Sequence, residues 1–570
     1  MNRILKNNLF SLWIPLIFII FHITACREDV CRITGPVTPN AMVVSAHPIA
    51  SRVGVEILKK GGNAIDAAIA VQFALAVVYP AAGNIGGGGF MVIRQNNGEY
   101  FSLDFREKAP LGASRNMYLD ENGEVITELS TRGHLASGVP GTVAGMVKAH
   151  DRFGTLAWDQ LVQPAIDLAA KGFPLTRREA AKLNDSREDF IKTNILTPDF
   201  LINEKWEAGD TFIIKDLAKT LVRIRDQQGS GFYSGVTADL IVAEMKRGNG
   251  IITYDDLIQY EAVWRSPVEG NYKSYRVISM GPPSSGGIAL IQMLKLIQGF
   301  EVDTMSWNST IYIHLLTEVE KRVYADRAEY MGDMDFYPVP LLQLTNEIYL
   351  NKRMKDFSFD RSVPAEHIYA GNTDFPESSE TTHFSIVDPL GMTVSVTTTL
   401  NGNFGSKVVV HEAGFLLNNE MDDFSIKPGY PNMFGLVGGE ANAIEAGKRM
   451  LSSMAPTIVE KNGSLYMVLG SPGGSRIITT VFQCLLNVIE FNMTMQEAVK
   501  VPRFHHQWMP DTLYYEAGRF PDQVRKELIK KGHTLKLRKT IGSVNAIRII
   551  PEGGMEGGAD PRGDNTAAGF

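Results

Sequence analysis

Cysteine is nearly missing: Cys26, Cys31 and Cys484 are the only three in 570 residues. So few, and without paired spacing, they exclude a disulfide-stapled scaffold and a cysteine-ligated zinc site. A charge excess is missing too. Lys plus Arg total 56 against 63 Asp plus Glu, a net charge of −7 with the signs interspersed. That balance argues against nucleic acid or an anionic membrane surface as the main partner. No internal repeat is found. Beyond the first 25 residues no apolar run reaches the roughly 20 residues that a bilayer span needs. What is present is 44% hydrophobic and 21% charged content, enough apolar surface for a large core in one big domain or a few smaller ones.

The first segment reads as an address. Arg3 and Lys6 precede an uncharged stretch from Asn7 to Ala25 with an apolar centre from Leu12 to Phe21. A basic start, a short apolar middle and a small-residue end make an export signal. The ending Ile23-Thr24-Ala25-Cys26 resembles a bacterial lipobox, in which the cysteine is lipidated and becomes the mature N-terminus. A plain cleaved signal peptide and a signal anchor are the competing readings. The expectation is a signal over residues 1–25 and a soluble chain in the cell envelope, periplasmic or at the outer membrane, held to the membrane only by lipid on Cys26.

Pro48 to Lys60 has helical apolar spacing and stops at Gly61-Gly62. Asn63 can cap the next helix, with Asp66 at its third position, and Pro80 ends that Ala-rich run. A glycine run, Gly86 to Gly89, leads into strands at Phe90 to Arg94 and Tyr100 to Phe105 around an Asn97-Gly98 turn. Residues 140–360 read mostly as amphipathic helices, for example Ala157 to Lys171 and Thr310 to Tyr330. From Arg361 to Glu380 Gly, Asn, Asp, Pro, Glu and Ser dominate, which predicts a loop. Strong alternation begins at Thr381.

Two alternating runs, Thr381 to Val387 and Thr393 to Thr399, flank Asp388-Pro389-Leu390-Gly391. Asp first, Pro second and Gly fourth suit a type I turn, and a left-handed Gly391 makes a three-residue hairpin loop. Asp388 then faces Met392. Ile386 meets Val394 and Phe384 meets Val396 on an apolar face, with Thr382 opposite Thr398. Ser385 meets Ser395, His383 meets Thr397 and Thr381 meets Thr399 on the other. A one-residue slip would set apolar side chains against polar ones, so this register is specified. Threonine suits strands for its own sake. The company these two keep suggests more: Asn401, the acidic run Glu420-Met-Asp-Asp423, Ser452-Ser453 and Ser471-Pro-Gly-Gly474.

At these residues the sequence resembles the γ-glutamyltranspeptidases, a family of N-terminal nucleophile hydrolases. The segments that carry the resemblance are TTHFSIVDPLGMTVSVTTTLNGNFG, AHPIASRVGVEILKKGGNAIDAAIA, GNIGGGGF, LDFREKAP, LLNNEMDDFS, GLVGGEANA, LSSMAPTIV, GSPGGSRIITT and PRFHHQW. The resemblance covers about residues 40 to 570. Met392 falls where the family usually has a small polar residue.

The resemblance implies a four-layer αββα sandwich built jointly by two fragments of one precursor. Scission is expected between Glu380 and Thr381, giving a large subunit over 26–380 and a small one over 381–570. The Thr381 hydroxyl would attack the Glu380 carbonyl, and water would open the resulting ester. The mature Thr381 would then offer a hydroxyl nucleophile and, in its own α-amine of reference pKa about 7.7–8.0, the base that a weak alcohol requires. Thr399 would orient that hydroxyl. Arg106 would clamp the substrate's α-carboxylate, helped by Ser452 and Ser453, because a guanidinium fork matches a carboxylate. Asn401, Glu420 and Asp423 would hold the α-ammonium, and the backbone N–H groups of Gly473 and Gly474 would form an oxyanion hole. Implied partners are glutathione and related γ-glutamyl compounds, with water, amino acids or dipeptides as acceptors. No cofactor or metal is called for.

Other motifs weigh less. Gly86 to Gly89 lacks the Lys-Ser/Thr of a phosphate loop. His505-His506 has no carboxylate or cysteine at ligand spacing. His383 reads as structural, and Arg562-Gly-Asp564 as incidental. Phe434, in a stretch that aligns with a lid loop of bacterial members, stands where several relatives have Tyr. The alternatives are a relative of shifted specificity, such as a cephalosporin acylase or a poly-γ-glutamate depolymerase, and an inactive solute-binding lipoprotein.

Overall fold

The computed structural model describes residues 32–369, 381–551 and 553–570. Cys26 and Glu380 lie outside the described residues, so neither the lipidation site nor the residue before Thr381 is described structurally. Two seven-stranded antiparallel sheets stack face to face, with helices over both outer faces. Edge to edge, the first sheet runs Thr566–Gly569, Met42–Ser45, Thr381–Val387, Thr393–Thr399, Gly88–Arg94, Tyr100–Asp104 and Val263–Arg265. The second runs Val37–Thr38, Met555–Ala559, Asn545–Ile549, Ser464–Gly470, Thr457–Lys461, Tyr275–Ser279 and Val268–Tyr272.

Period-two alternation explains the layering. Val43, Met91, Ile93, Phe384, Ile386, Val394 and Val396 point into a core shared with helices Pro48–Lys59 and Ala64–Val78. Met42, Val44, Phe90 and Val92 point the other way, into a core shared with the second sheet and helices Gly286–Ile297, Thr310–Tyr330 and Ile477–Ile489. All 15 residues of Ala64–Val78 are buried, and its start carries the expected capping box between Asn63 and Asp66. Among the described residues no helix is long and apolar enough to cross a membrane.

The helical reading of 140–360 needs one correction. Val263–Arg265 closes the edge of the first sheet, and the hairpin Val268–Tyr272 with Tyr275–Ser279 closes the second. Val263–Arg265 and Val268–Tyr272 are short edge elements and only partly buried, so their alternation is weak and charged residues interrupt it, while Tyr275–Ser279 lies one strand further in. Thr310–Tyr330 is as expected, and Ala157 caps Trp158–Lys171 instead of opening it. Arg562 and Asp564 are cross-links. Arg562 pairs with Glu516 and Asp560, while Asp564 accepts from Thr176 Oγ1 at 2.7 Å and pairs with Arg178 at 2.8 Å.

Candidate active site

The hairpin adopts the expected register at every position, from Thr381 opposite Thr399 to Val387 opposite Thr393. Its turn is fixed by one side chain. Asp388 Oδ1 accepts from Leu390 N and Met392 N, and its Oδ2 accepts from Ala64 N at the start of a buried helix. Gly391 takes φ +85°, which glycine adopts without strain. The polar face points at the second sheet. Ser395 Oγ donates to Leu469 O and accepts from Thr457 N, and Ser385 Oγ donates to Asn545 O. His383 is bound between Thr397 and Ser385 at 2.9 and 3.0 Å, and burial pushes its pKa down to about 3. A neutral, fully engaged imidazole is structural, not a base.

One pocket opens at the open end of this hairpin, away from its turn. Thr381, Thr399, Asn401, Arg106, Glu420, Asp423, Ser452, Ser453 and Gly474 line it, with Phe434, Leu436, Met454 and Ile477. Gly473, next in the chain to Gly474, is outside that lining. The supports come from far apart in sequence. Arg106 follows the strand Tyr100–Asp104, whose Asp104 Oδ1 accepts from the Arg106 N–H at 2.9 Å. Glu420 and Asp423 sit on one short 3-10 turn. Gly474 opens another, immediately before helix Ile477–Ile489. Asn401, at φ +72°, donates its backbone N–H to Thr399 Oγ1 at 2.7 Å.

The charges are buried and mutually paired. Arg106 Nη1 lies 2.6 Å from Glu420 Oε2, and Nη2 lies 2.6 Å from Asp423 Oδ2. Burial works against the guanidinium's charge, but Glu420, Glu107 and Asp423 together hold its pKa above the usual range. Burial likewise raises Glu420 and Asp423, against the pull of Arg106. The pocket therefore offers both signs within one small volume, as a zwitterionic head group requires.

Three further contributors are residues to which the sequence assigned no role. Arg327, in the last turn of Thr310–Tyr330, donates to Ser453 Oγ at 3.1 Å and to Ser285 Oγ at 2.9 Å. Glu107 lies 3.5 Å from Arg106, fully buried, and burial pushes its pKa up to about 7. Asp422 accepts from Ser130 Oγ and from Met433 N, both at 2.8 Å, while Asp423 accepts from Asn432. These last contacts hold the segment that carries Phe434 over the pocket. The Phe434 ring packs so closely that a Cβ on Gly474 would come within 2.7 Å of it.

The glycine run and the histidine pair are structural. A Cβ at Gly86, Gly87, Gly88 or Gly89 would meet neighbouring atoms at 2.5 Å or less, among them the carbonyl oxygens of Thr399 and Thr397. His505 is held by Thr479 and Gln507, and His506 by Asp511. Among the described residues His314, Glu318 and His533 converge. Glu318 is already paired with Lys321 and Arg322, and the two rings bond each other at 2.7 Å.

The family model described as Gamma-glutamyltranspeptidase matches residues 50–570. This chain belongs to the gamma-glutamyltranspeptidase family. It is 46% identical to the glutathione hydrolase proenzyme of Escherichia coli (strain K12) over 540 residues, covering 93% of this chain and 92% of that one. It is 48% identical to the glutathione hydrolase proenzyme of Pseudomonas aeruginosa, covering 91% and 93%. Among solved structures, the Helicobacter pylori gamma-glutamyltranspeptidase is 45% identical at TM-score 0.57 and covers 61% of this chain and 99% of its own. The cephalosporin acylase from Bacillus halodurans is 26% identical at TM-score 0.84 and covers 95% and 97%. The family and its sandwich architecture are as the sequence led one to expect.

Proposed function

We propose that this chain is a self-processing γ-glutamyltransferase and glutathione hydrolase. It cleaves the γ-glutamyl amide of glutathione and related compounds through an ester on Thr381. The observation that carries this reading is the pairing of Thr381 with Thr399 at a pocket that also holds Arg106, Glu420, Asp423, Ser452 and Ser453. The precursor is cut between Glu380 and Thr381. The solved Helicobacter pylori chain, matched over nearly its whole length, covers a share of this sequence close to that of residues 26–380, which supports two fragments.

In the reaction, the new α-amine of Thr381 takes the proton of its own hydroxyl, and the oxygen attacks the γ-carbonyl of the substrate. Thr399 fixes the direction of that oxygen. The substrate's α-carboxylate lies against Arg106, with Ser452 and Ser453 as further donors. Its α-ammonium lies against Glu420, Asp423 and Asn401, so each end of the head group replaces one partner of the existing ion pairs. The backbone N–H groups of Gly473 and Gly474 stabilise the oxyanion, where losing one such donor typically slows a reaction about 10²–10³-fold. The amine product leaves, and water or an amino acid or dipeptide amine takes the acyl group. We further propose export through residues 1–25 and tethering at Cys26.

The test is direct. Purified wild type should run as two fragments of about 39 and 21 kDa at average residue mass and should release chromophore from a γ-glutamyl anilide, faster with added dipeptide. An α-glutamyl anilide should be inert. Active protein that stays as one uncut band would refute the maturation scheme.

A further inference from the structure

Behind the nucleophile hairpin, on the side away from the pocket, a polar side chain sits deep in the helix-facing core. Asn84 is buried, in the loop that follows helix Ala64–Val78. Its Nδ2 donates to the carbonyl oxygen of Thr399 at 2.8 Å, to Thr398 Oγ1 at 3.0 Å and to Ala82 O at 3.0 Å. Its Oδ1 accepts from Thr142 Oγ1 at 2.6 Å, and its own carbonyl accepts from Gln72 Nε2 at 3.0 Å. The surroundings beyond it are apolar, with Ala76, Ile85, Leu400, Phe404 and Phe415 around the same cavity. A carboxamide in such a place is expensive to keep unless its bonds are all made, and these are.

The atoms it holds are the ones that matter at the strand end. Thr399 is the last paired residue of its strand. After it the chain bends into Asn401 at φ +72°, whose N–H meets Thr399 Oγ1. The Thr399 carbonyl belongs to the peptide that starts this bend. Fixing that carbonyl fixes the peptide plane, and with it the direction from which the Asn401 N–H reaches the threonine hydroxyl. The adjacent Gly87 has no room for a side chain, since a Cβ there would lie 2.1 Å from the same Thr399 oxygen and 2.8 Å from Asn84 Oδ1.

We propose that Asn84 is a positioning residue for the reaction: by anchoring the Thr399 carbonyl from behind, it sets the orientation of the Thr399 hydroxyl that faces Thr381. The inference rests on the role given to Thr381 and Thr399 above. It touches no substrate atom, so its effect falls on turnover and not on recognition of the glutamyl head.

The experiment uses the full chain and three variants. Asn84→Asp keeps the shape but has no N–H to give to the Thr399 carbonyl. Asn84→Ala removes the group. Thr142→Val deletes the bond on the opposite side of the same carboxamide and serves as the stability control. With a γ-glutamyl anilide, Asn84→Asp and Asn84→Ala are expected to lose about tenfold or more in kcat while KM stays within about threefold. Their self-cleavage should slow in parallel, because the same hydroxyl pair acts there. Thr142→Val should lower the thermal midpoint yet keep kcat within about twofold. A kcat within about twofold of wild type in either Asn84 variant would overturn the proposal, as would kcat losses in all three that simply track their melting temperatures. If neither Asn84 variant yields folded protein, Asn84 is a folding element and the positioning role is likewise rejected. A wild type without γ-glutamyl activity would instead overturn the reading beneath it.

Discussion

The two faces of one hairpin divide the labour of this molecule. The face toward the helices holds Phe384, Ile386, Val394 and Val396 in a continuous apolar core. The face toward the second sheet holds His383, Ser385, Ser395, Thr397 and Thr399, just as buried but hydrogen-bonded, and ends at Thr381. Burial alone therefore does not distinguish scaffold from site. What distinguishes them is whether the buried groups come with partners. Apolar contacts lose little specificity when a neighbour shifts, whereas a buried polar array is tolerated only in one arrangement. The proposed chemistry is built on the face that has one arrangement.

That contrast can be broken from either side. The largest effect is expected at Thr381→Ala, which should abolish both self-cleavage and anilide turnover while the melting temperature of the uncut chain stays high. A processed or active Thr381→Ala protein would end the division. Next is Arg106→Lys, which keeps a charge but loses the fork held by Glu420 and Asp423. A fall of at least about 10²-fold in kcat/KM is expected, with the rise in KM measured directly. On the apolar side, Phe384→Ala should cost about 3–5 kcal/mol by denaturant titration yet leave kcat of the surviving folded protein nearly unchanged.

A subtler test uses pH. The pKa of His383 is held at about 3 by burial, well below its value in the unfolded chain of about 6.5. Between those values the unfolded state binds the extra proton, so this residue's contribution to stability is complete above about pH 6.5 and declines as pH falls toward 3. His383→Asn should flatten the acid limb of the stability curve in that window, with little change above pH 7. The smallest effect belongs to Met392→Thr, a partly exposed position beside the turn, where a change within about 0.5 kcal/mol is expected.

The hairpin was legible because two independent signals agree. Turn chemistry at Asp388-Pro389-Leu390-Gly391 and the apolar alternation each demand the same pairing. The helix caps at Asn63 and the extent of Thr310–Tyr330 were legible for the same reason: a local pattern and a boundary residue coincide. The edge strands Val263–Arg265 and Val268–Tyr272 were not, because an edge is only partly buried and its pattern is weakened accordingly. Arg327 and Glu107 were not legible either. A charged residue within a mixed-charge helix, or beside another charged residue, looks like a solvated face until the fold shows what surrounds it. The layering of two sheets came from the family resemblance. Period-two patterns say that a strand has two faces and leave open what covers each.

The order of strands in the first sheet has a consequence for handling the protein. Met42–Ser45 lies between Thr566–Gly569 and Thr381–Val387, so a strand from before the proposed cut is clasped on both sides by strands from after it. Each piece is thus part of the template on which the other folds. Differently tagged copies, mixed after maturation, should not swap halves without first being denatured, and halves made separately should have to meet while both are still unfolded.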